Sequence, residues 1–167
     1  MLTAITAEVR DQAVLRMQET TRICRRAWDE LPEELLWHRP NEASNSAGNL
    51  VLHLCGNMRQ YIHAGLGGYP DLRQRDAEFA ARGGHTKAEL WSLLEQTVAE
   101  ACDIIRKADD DNLLRVRRVQ GFHLSGVGII LHVVEHYSYH AGQLAFWVKA
   151  LRNIDLGCYA GFDLNAK

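Results

Sequence analysis

Four stretches of this chain repeat apolar residues every three or four positions, and a helix striped in that way is stable only when its stripe is buried against another element. In the first stretch, Leu2, Ile5, Val9, Ala13, Ile23, Ala27 and Leu31 predict a helix from about Thr3 to Glu30 that stops near Pro32. Residues 31–45 carry two prolines and several polar side chains and read as a loop. Asn45 and Ser46 offer N-cap oxygens to a second helix, whose face of Leu50, Val51, Leu54, Cys55, Met58, Tyr61 and Ile62 ends at Gly65, Gly67 and Gly68. Thr86 and Glu89 form a capping box for a third, marked by Leu90, Leu94, Val98, Ala101, Ile105 and Ala108. Ser125 caps a fourth that runs to about Leu151, before an irregular tail with Gly157 and Gly161. The segment Leu113 to His123 alternates only weakly and reads as a linker. Burying four stripes against each other predicts an all-α four-helix bundle. The connection between helices two and three is long enough to cross the length of a helix, which allows an up-down-down-up order.

At 167 residues the chain has the size of a single domain, 1–167, and its 47% hydrophobic and 24% charged residues are those of a globular protein. Nineteen Lys and Arg against 21 Asp and Glu leave a formal charge of -2, so no bulk field draws the chain to nucleic acid or to an acidic membrane. The most apolar window, Val127 to Val134, is broken by Gly128 and His132 and falls far short of the ~18 residues of a membrane span. The start of the chain lacks the basic flank and apolar run of a secretory signal. Cys24, Cys55, Cys102 and Cys158 are scattered, with no Cys-x-x-Cys pair, and read as reduced structural residues. A cytoplasmic location is expected.

The chemistry is concentrated in the histidines, of which there are eight. His132, His136 and His140 are spaced at i, i+4 and i+8 on the fourth helix. Residues four apart lie about 40° apart around a helix axis and ~6 Å apart along it, so an HxxxH pair can clamp one metal ion. His132 and His140, about 12 Å apart along the axis, cannot serve the same ion. On the helical wheel His140 and His136 flank the apolar face while His132 leans toward solvent. A third ligand must come from another helix. Both His53 and His63 lie well off the centre of the second helix's apolar face, so periodicity does not choose between them.

The runs NSAGNLVLHLCGNMRQYI and HVVEHYSYHAGQL resemble the corresponding helices of the DinB/YfiT-like superfamily, over about residues 31 to 150. The resemblance implies an up-down-down-up bundle holding a divalent metal through His53, His136 and His140. Three neutral imidazoles leave at least one coordination position open, as in catalytic rather than closed structural sites. Zinc or nickel suits such a set, whereas iron more often takes a carboxylate.

The resemblance points to a metal-dependent enzyme acting on a small-molecule substrate. Thiol-dependent transfer or isomerisation with a low-molecular-weight thiol is one form, and metal-assisted hydrolysis another. The rival is a non-enzymatic dimeric module whose ion is structural, and the lack of an evident general base favours it. Asn57 and Gln143 are candidate hydrogen-bonding supports for the ligands, and Tyr137 reads as packing. Glu135 reads as a solvated charge, as does the run Arg75 to Phe79 in the long connection. Trp37, Tyr69, Phe79 and Phe162 look exposed, which favours a homodimer.

Overall fold

The computed structural model describes residues 2–166. Helix α1 spans Leu2–Glu30, α2 Ala47–Met58, α3 Arg75–Ala80, α4 Lys87–Lys107, α5 Asp110–Leu114 and α6 Gly126–Arg152. The molecule is mostly helical, and its long helices begin where the caps predict. Ser46 with Asn49, and Thr86 with Glu89, form reciprocal capping boxes, and Ser125 accepts from the Gly128 amide. Asn153, left-handed at φ 51°, ends α6.

Helix α1 packs against α4 and α6, and α2 packs against the same two, so the apolar stripes meet in one core. Trp28, Tyr61, Tyr137, Met17, Leu31 and Leu90 are among its fully buried side chains. Each such residue contributes about 1.5–3 kcal/mol of burial free energy, most of it offset by chain entropy. The Tyr137 hydroxyl finds Thr21 at 3.0 Å, which satisfies a polar tip inside the core. Among the described residues no helix is long and apolar enough to cross a membrane. All four cysteines are free, with Cys24, Cys55 and Cys102 buried.

Three stretches differ in local structure from the sequence reading, and a fourth differs in what it covers. The loop at 31–45 contains a 3-10 turn, Glu33–Leu35. The second helical run changes to π-helical hydrogen bonding over Arg59–Leu66. The segment read as a linker holds α5 and an antiparallel hairpin, β1 (Arg117–Val119) and β2 (Phe122–Leu124), with Val119 opposite Phe122. Gln120 and Gly121, at φ 50° and 88°, supply the two left-handed positions that a two-residue hairpin turn needs. Three-residue strands are too short to produce a readable alternation, which is why the pattern missed them.

The departure that matters for function lies in the connection 67–86. Rather than a solvated turn, it folds α3 down onto α2. Asn49, fully buried in the first turn of α2, donates through Nδ2 to the carbonyls of Glu78 and Ala81, each at 2.9 Å. Arg39 donates to the Phe79 carbonyl at 2.6 Å. These bonds satisfy backbone oxygens at the end of a helix only six residues long. They bring Glu78 to the surface of α2 one turn beyond Asn49.

Candidate metal centre

His53 projects from the middle of α2, and His136 and His140 project from successive turns of α6, which packs against α2. One ligand atom from each lies within 4.8 Å of the other two. The ring centroids are 4.9 Å apart for His53 and His136, 4.5 Å for His136 and His140, and 5.1 Å for His53 and His140. His53 is only 6% exposed although its own helix places it off the apolar face. The layer that buries it is α3, whose Phe79 ring lies 4.6 Å away. A single-helix wheel could not anticipate a cover from another segment.

His53 Nδ1 is 3.0 Å from Glu78 Oε2. Arg73 grips the same carboxylate with two bonds, Nε to Oε1 at 2.8 Å and Nη2 to Oε2 at 2.9 Å. The Arg73 side chain is 3% exposed, so this is a buried pair in fork geometry. Nη2 also lies 3.1 Å from His53 Nδ1, but it is already committed to the carboxylate. The network therefore assigns the proton to Nδ1 as a donor to Glu78 and leaves Nε2 with its lone pair. Burial alone would raise the Glu78 carboxyl, but the bonds from Arg73 and His53 outweigh it and hold the group below its ordinary value.

His140 is oriented by its own helix. Its Nδ1 donates to Gln143 Oε1 at 2.7 Å, which leaves Nε2 free to accept or coordinate. His136 Nδ1, in contrast, is buried with no hydrogen-bond partner among the described residues. Its Nε2 lies 3.0 Å from the Nε2 of His53. Two imidazole nitrogens that close need either a proton or a cation between them. A carboxylate-backed His53, an amide-backed His140 and this facing pair are the donor arrangement that a borderline divalent ion takes, with the backing groups fixing tautomer and ring direction.

The site differs from the sequence reading in several residues. His132, expected to lean toward solvent, is half-buried, because Tyr61 from the π-helical segment covers it with ring centroids 4.1 Å apart. It is Asn57, considered as a support for His53, that meets His132, Nδ2 to Nε2 at 3.3 Å. His63 stands apart, 3.7 Å from Glu100. Glu135 is exposed and Tyr137 is core, as read. Phe79 and Trp37, read as exposed, are packed, whereas Tyr69 and Phe162 are open to solvent. Glu78, Arg73, Asn49 and Arg39 were not singled out. The signal that could have found them is Gly56, an interior helix glycine three residues after His53. A Cβ there would stand 1.9 Å from Glu78 Oε1 and 3.1 Å from Arg73 Nε, so the missing side chain is what seats the pair.

The histidine cluster sets a pH dependence. Burial, with the neighbouring His140, His53, His132 and Arg73 charges, pushes His136 down to about 3, and burial lowers His140 and His132 as well. Below about pH 6.5 the unfolded chain takes up protons that the folded chain refuses, so folding stability falls as pH falls. Glu78, depressed in the folded state, acts in the same direction, its stabilisation being present above the ordinary carboxylate value and lost as pH drops through the folded one. Denaturant melts of chelator-treated protein are expected to show stability rising from pH 3 to about 6.5. A flat or opposite slope contradicts this reading.

Comparison with known proteins bears on family and fold. A family described as a protein of unknown function, DUF1572, matches residues 5–160. The fold is similar to that of the crystal structure of a DinB-like protein, YjoA, from Bacillus subtilis, with a TM-score of 0.64 and 18% identity over 84% of this chain and 91% of that one. At that identity the second finding speaks for the fold alone, and it agrees with the fold that the resemblance implies. No curated protein matches.

Proposed function

The chain belongs to the family described as a protein of unknown function, DUF1572, and from that premise we propose that it is a divalent-metal-dependent enzyme whose ion is held by His53, His136 and His140. The observation that carries the proposal is the convergence of three imidazoles, one of them backed by the buried Glu78–Arg73 pair. Such an ion, zinc or nickel, would supply Lewis acidity toward a carbonyl, a water or a thiol at its open position.

The chain's own residues define the rest. Glu78 and Gln143 hold the tautomers of His53 and His140, and the low proton affinity of His136 keeps its ring neutral. Because α3 and Phe79 cover His53, a small-molecule substrate reaches the cluster from the side of His140 and Tyr139. Tyr139 is 62% exposed, with its ring 5.0 Å from His140. Thiol-dependent transfer or isomerisation with a low-molecular-weight thiol, or metal-assisted hydrolysis, fits this site. One observation favours the rival reading, a non-enzymatic metal-binding module: the nearest carboxylate, Glu78, is consumed by Arg73 and His53, which leaves no free base. The test is a screen of Zn²⁺- and Ni²⁺-loaded protein against electrophiles and esters, with and without small thiols. Turnover lost on His140→Ala supports the enzyme, and no turnover in any arm supports the module.

The same reading takes the bundle as up-down-down-up. Its support is that His63, late in the second helical run, meets Glu100, late in α4, as parallel neighbours do. It takes the location as cytoplasmic, which suits four free cysteines. It takes the assembly as a homodimer, with exposed Tyr69 and Phe162 among the apolar residues to be covered. Light scattering at micromolar concentration should give about twice the 18.9 kDa chain mass, and the monomer mass would reject the dimer.

A further inference from the structure

Residues 155–160, beyond the end of α6, fold back beside α1 and α6 and enclose with them a cavity of about 620 Å³. None of His53, His136 and His140 lines it. Its floor on α6 is Ser138, Ala141, Gly142 and Ala145, whose small side chains leave the space open. Ser138 stands about 200° around the helix from both His136 and His140, so the cavity and the histidine cluster occupy different faces of α6. The returning tail is tied to α1. Arg22 Nη1 donates to the Cys158 carbonyl at 2.6 Å and Arg26 Nη1 to that of Leu156 at 3.2 Å, and neither arginine lines the cavity.

Cys24, Cys55 and Cys102 are buried, whereas Cys158 is only half-buried and lines this cavity. Thr20 of α1 lines it too. That residue is 8% exposed, yet its hydroxyl makes no hydrogen bond among the described residues. A hydroxyl so enclosed has lost most of its water, and leaving its bond unmade is costly, so the cavity suits a polar guest. Two charged side chains line the cavity, one of each sign. The Lys149 ammonium makes no hydrogen bond or ion pair among the described residues, and Asp155 accepts only from the Gly157 amide at 3.0 Å. An uncommitted cation and a carboxylate bonded only to a neutral amide, not paired with each other, are complementary to a guest that carries both a carboxylate and an ammonium.

We propose that Cys158 and this cavity form a modification site, independent of the histidine cluster, that holds a small amino-acid or peptide thiol as a mixed disulfide. The co-reactant is the symmetric disulfide of that thiol. The Cys158 sulfur attacks one of its two sulfurs, the new S–S bond forms as the old one breaks, and the other half leaves as a thiolate. Cys158 is oxidised and gives its proton to water, while the departing sulfur is reduced and takes a proton up. Lys149 faces the carboxylate of the retained half, Asp155 its ammonium, and Thr20 supplies a hydrogen bond. The test incubates the full chain with cystine or with oxidised glutathione, each at a fixed ratio to its reduced thiol, and reads the adduct by intact mass and peptide mapping. Cystamine, with ammonium groups only, and dithiodiglycolate, with carboxylates only, are the controls. One adduct per chain is expected, at Cys158, and none on Cys158→Ser. The mixed-disulfide equilibrium constant for the better of the two zwitterionic probes should exceed that of either control by about tenfold, the size of two weak ion contacts. Lys149→Gln with Asp155→Asn, a pair that keeps the acceptor for the Gly157 amide, should remove that advantage. Gly142→Leu should block the cavity with helical circular dichroism unchanged, since a Cβ there meets nothing within 4 Å and leucine favours the helix. His136→Ala should leave the adduct intact, which separates this site from the metal reading. No adduct, an adduct spread over several cysteines, or constants equal among the probes or unchanged in the variants overturns the proposal.

Discussion

Glu78→Ala is expected to destabilise the folded chain by about 3–5 kcal/mol, the cost of stranding a buried partner of an ion pair. The Arg73 side chain is 3% exposed and spends both its Nε and Nη2 on this carboxylate, so removing the carboxylate leaves a guanidinium without countercharge inside the fold. His53 Nδ1 loses its acceptor at the same time. Replacing both charged groups by apolar ones, Arg73→Met with Glu78→Leu, should recover much of the stability, because no charge is then left unpaired. It should not restore the orientation of His53, and loss of such a backing group typically costs 10–100-fold in metal affinity. Chemical denaturation of the two variants, with zinc titration of each, checks both parts. A Glu78→Ala loss below about 1 kcal/mol would mean that the pair behaves as an exposed one.

Replacing His53, His136 and His140 together by Ala should leave helical circular dichroism nearly unchanged while abolishing any metal-dependent turnover. The core of Trp28, Tyr61, Tyr137 and the apolar stripes lies in the helix interfaces and does not depend on these side chains for its burial. An ion that binds only the folded state still adds stability by mass action, about 2.7 kcal/mol at a hundredfold excess over its dissociation constant. Chelation of the wild type should accordingly lower the melting temperature without unfolding the protein at 25 °C. A triple variant that is unfolded at 25 °C would show the ion to be structural, and the enzyme reading would be abandoned.

The long helices and their caps were legible in the sequence because period and cap chemistry are local. Ser46, Thr86 and Ser125 start helices for reasons contained within four residues of each. The convergence of His136 and His140 was legible for the same reason, whereas the choice of His53 needed a family resemblance, since its burial is produced by another segment. Glu78 and Phe79 looked like part of a charged turn because nothing in residues 75–80 has a helical period long enough to read. What places them is a set of long-range bonds from Asn49 and Arg39, and the one local trace of that contact is the glycine at position 56. His132 failed on the wheel for a related reason, its cover being the Tyr61 ring from a different helix.

Metal content by elemental analysis, on protein purified without an affinity tag and reloaded with Zn²⁺ or Ni²⁺, tests the central claim most directly. The wild type should hold about one equivalent per chain, His53→Ala and His140→Ala should retain little, and His132→Ala, whose ring packs on Tyr61 and bonds to Asn57, should keep it. A wild type that binds no ion, or equal loss from His132→Ala and His140→Ala, would contradict a centre built on His53, His136 and His140.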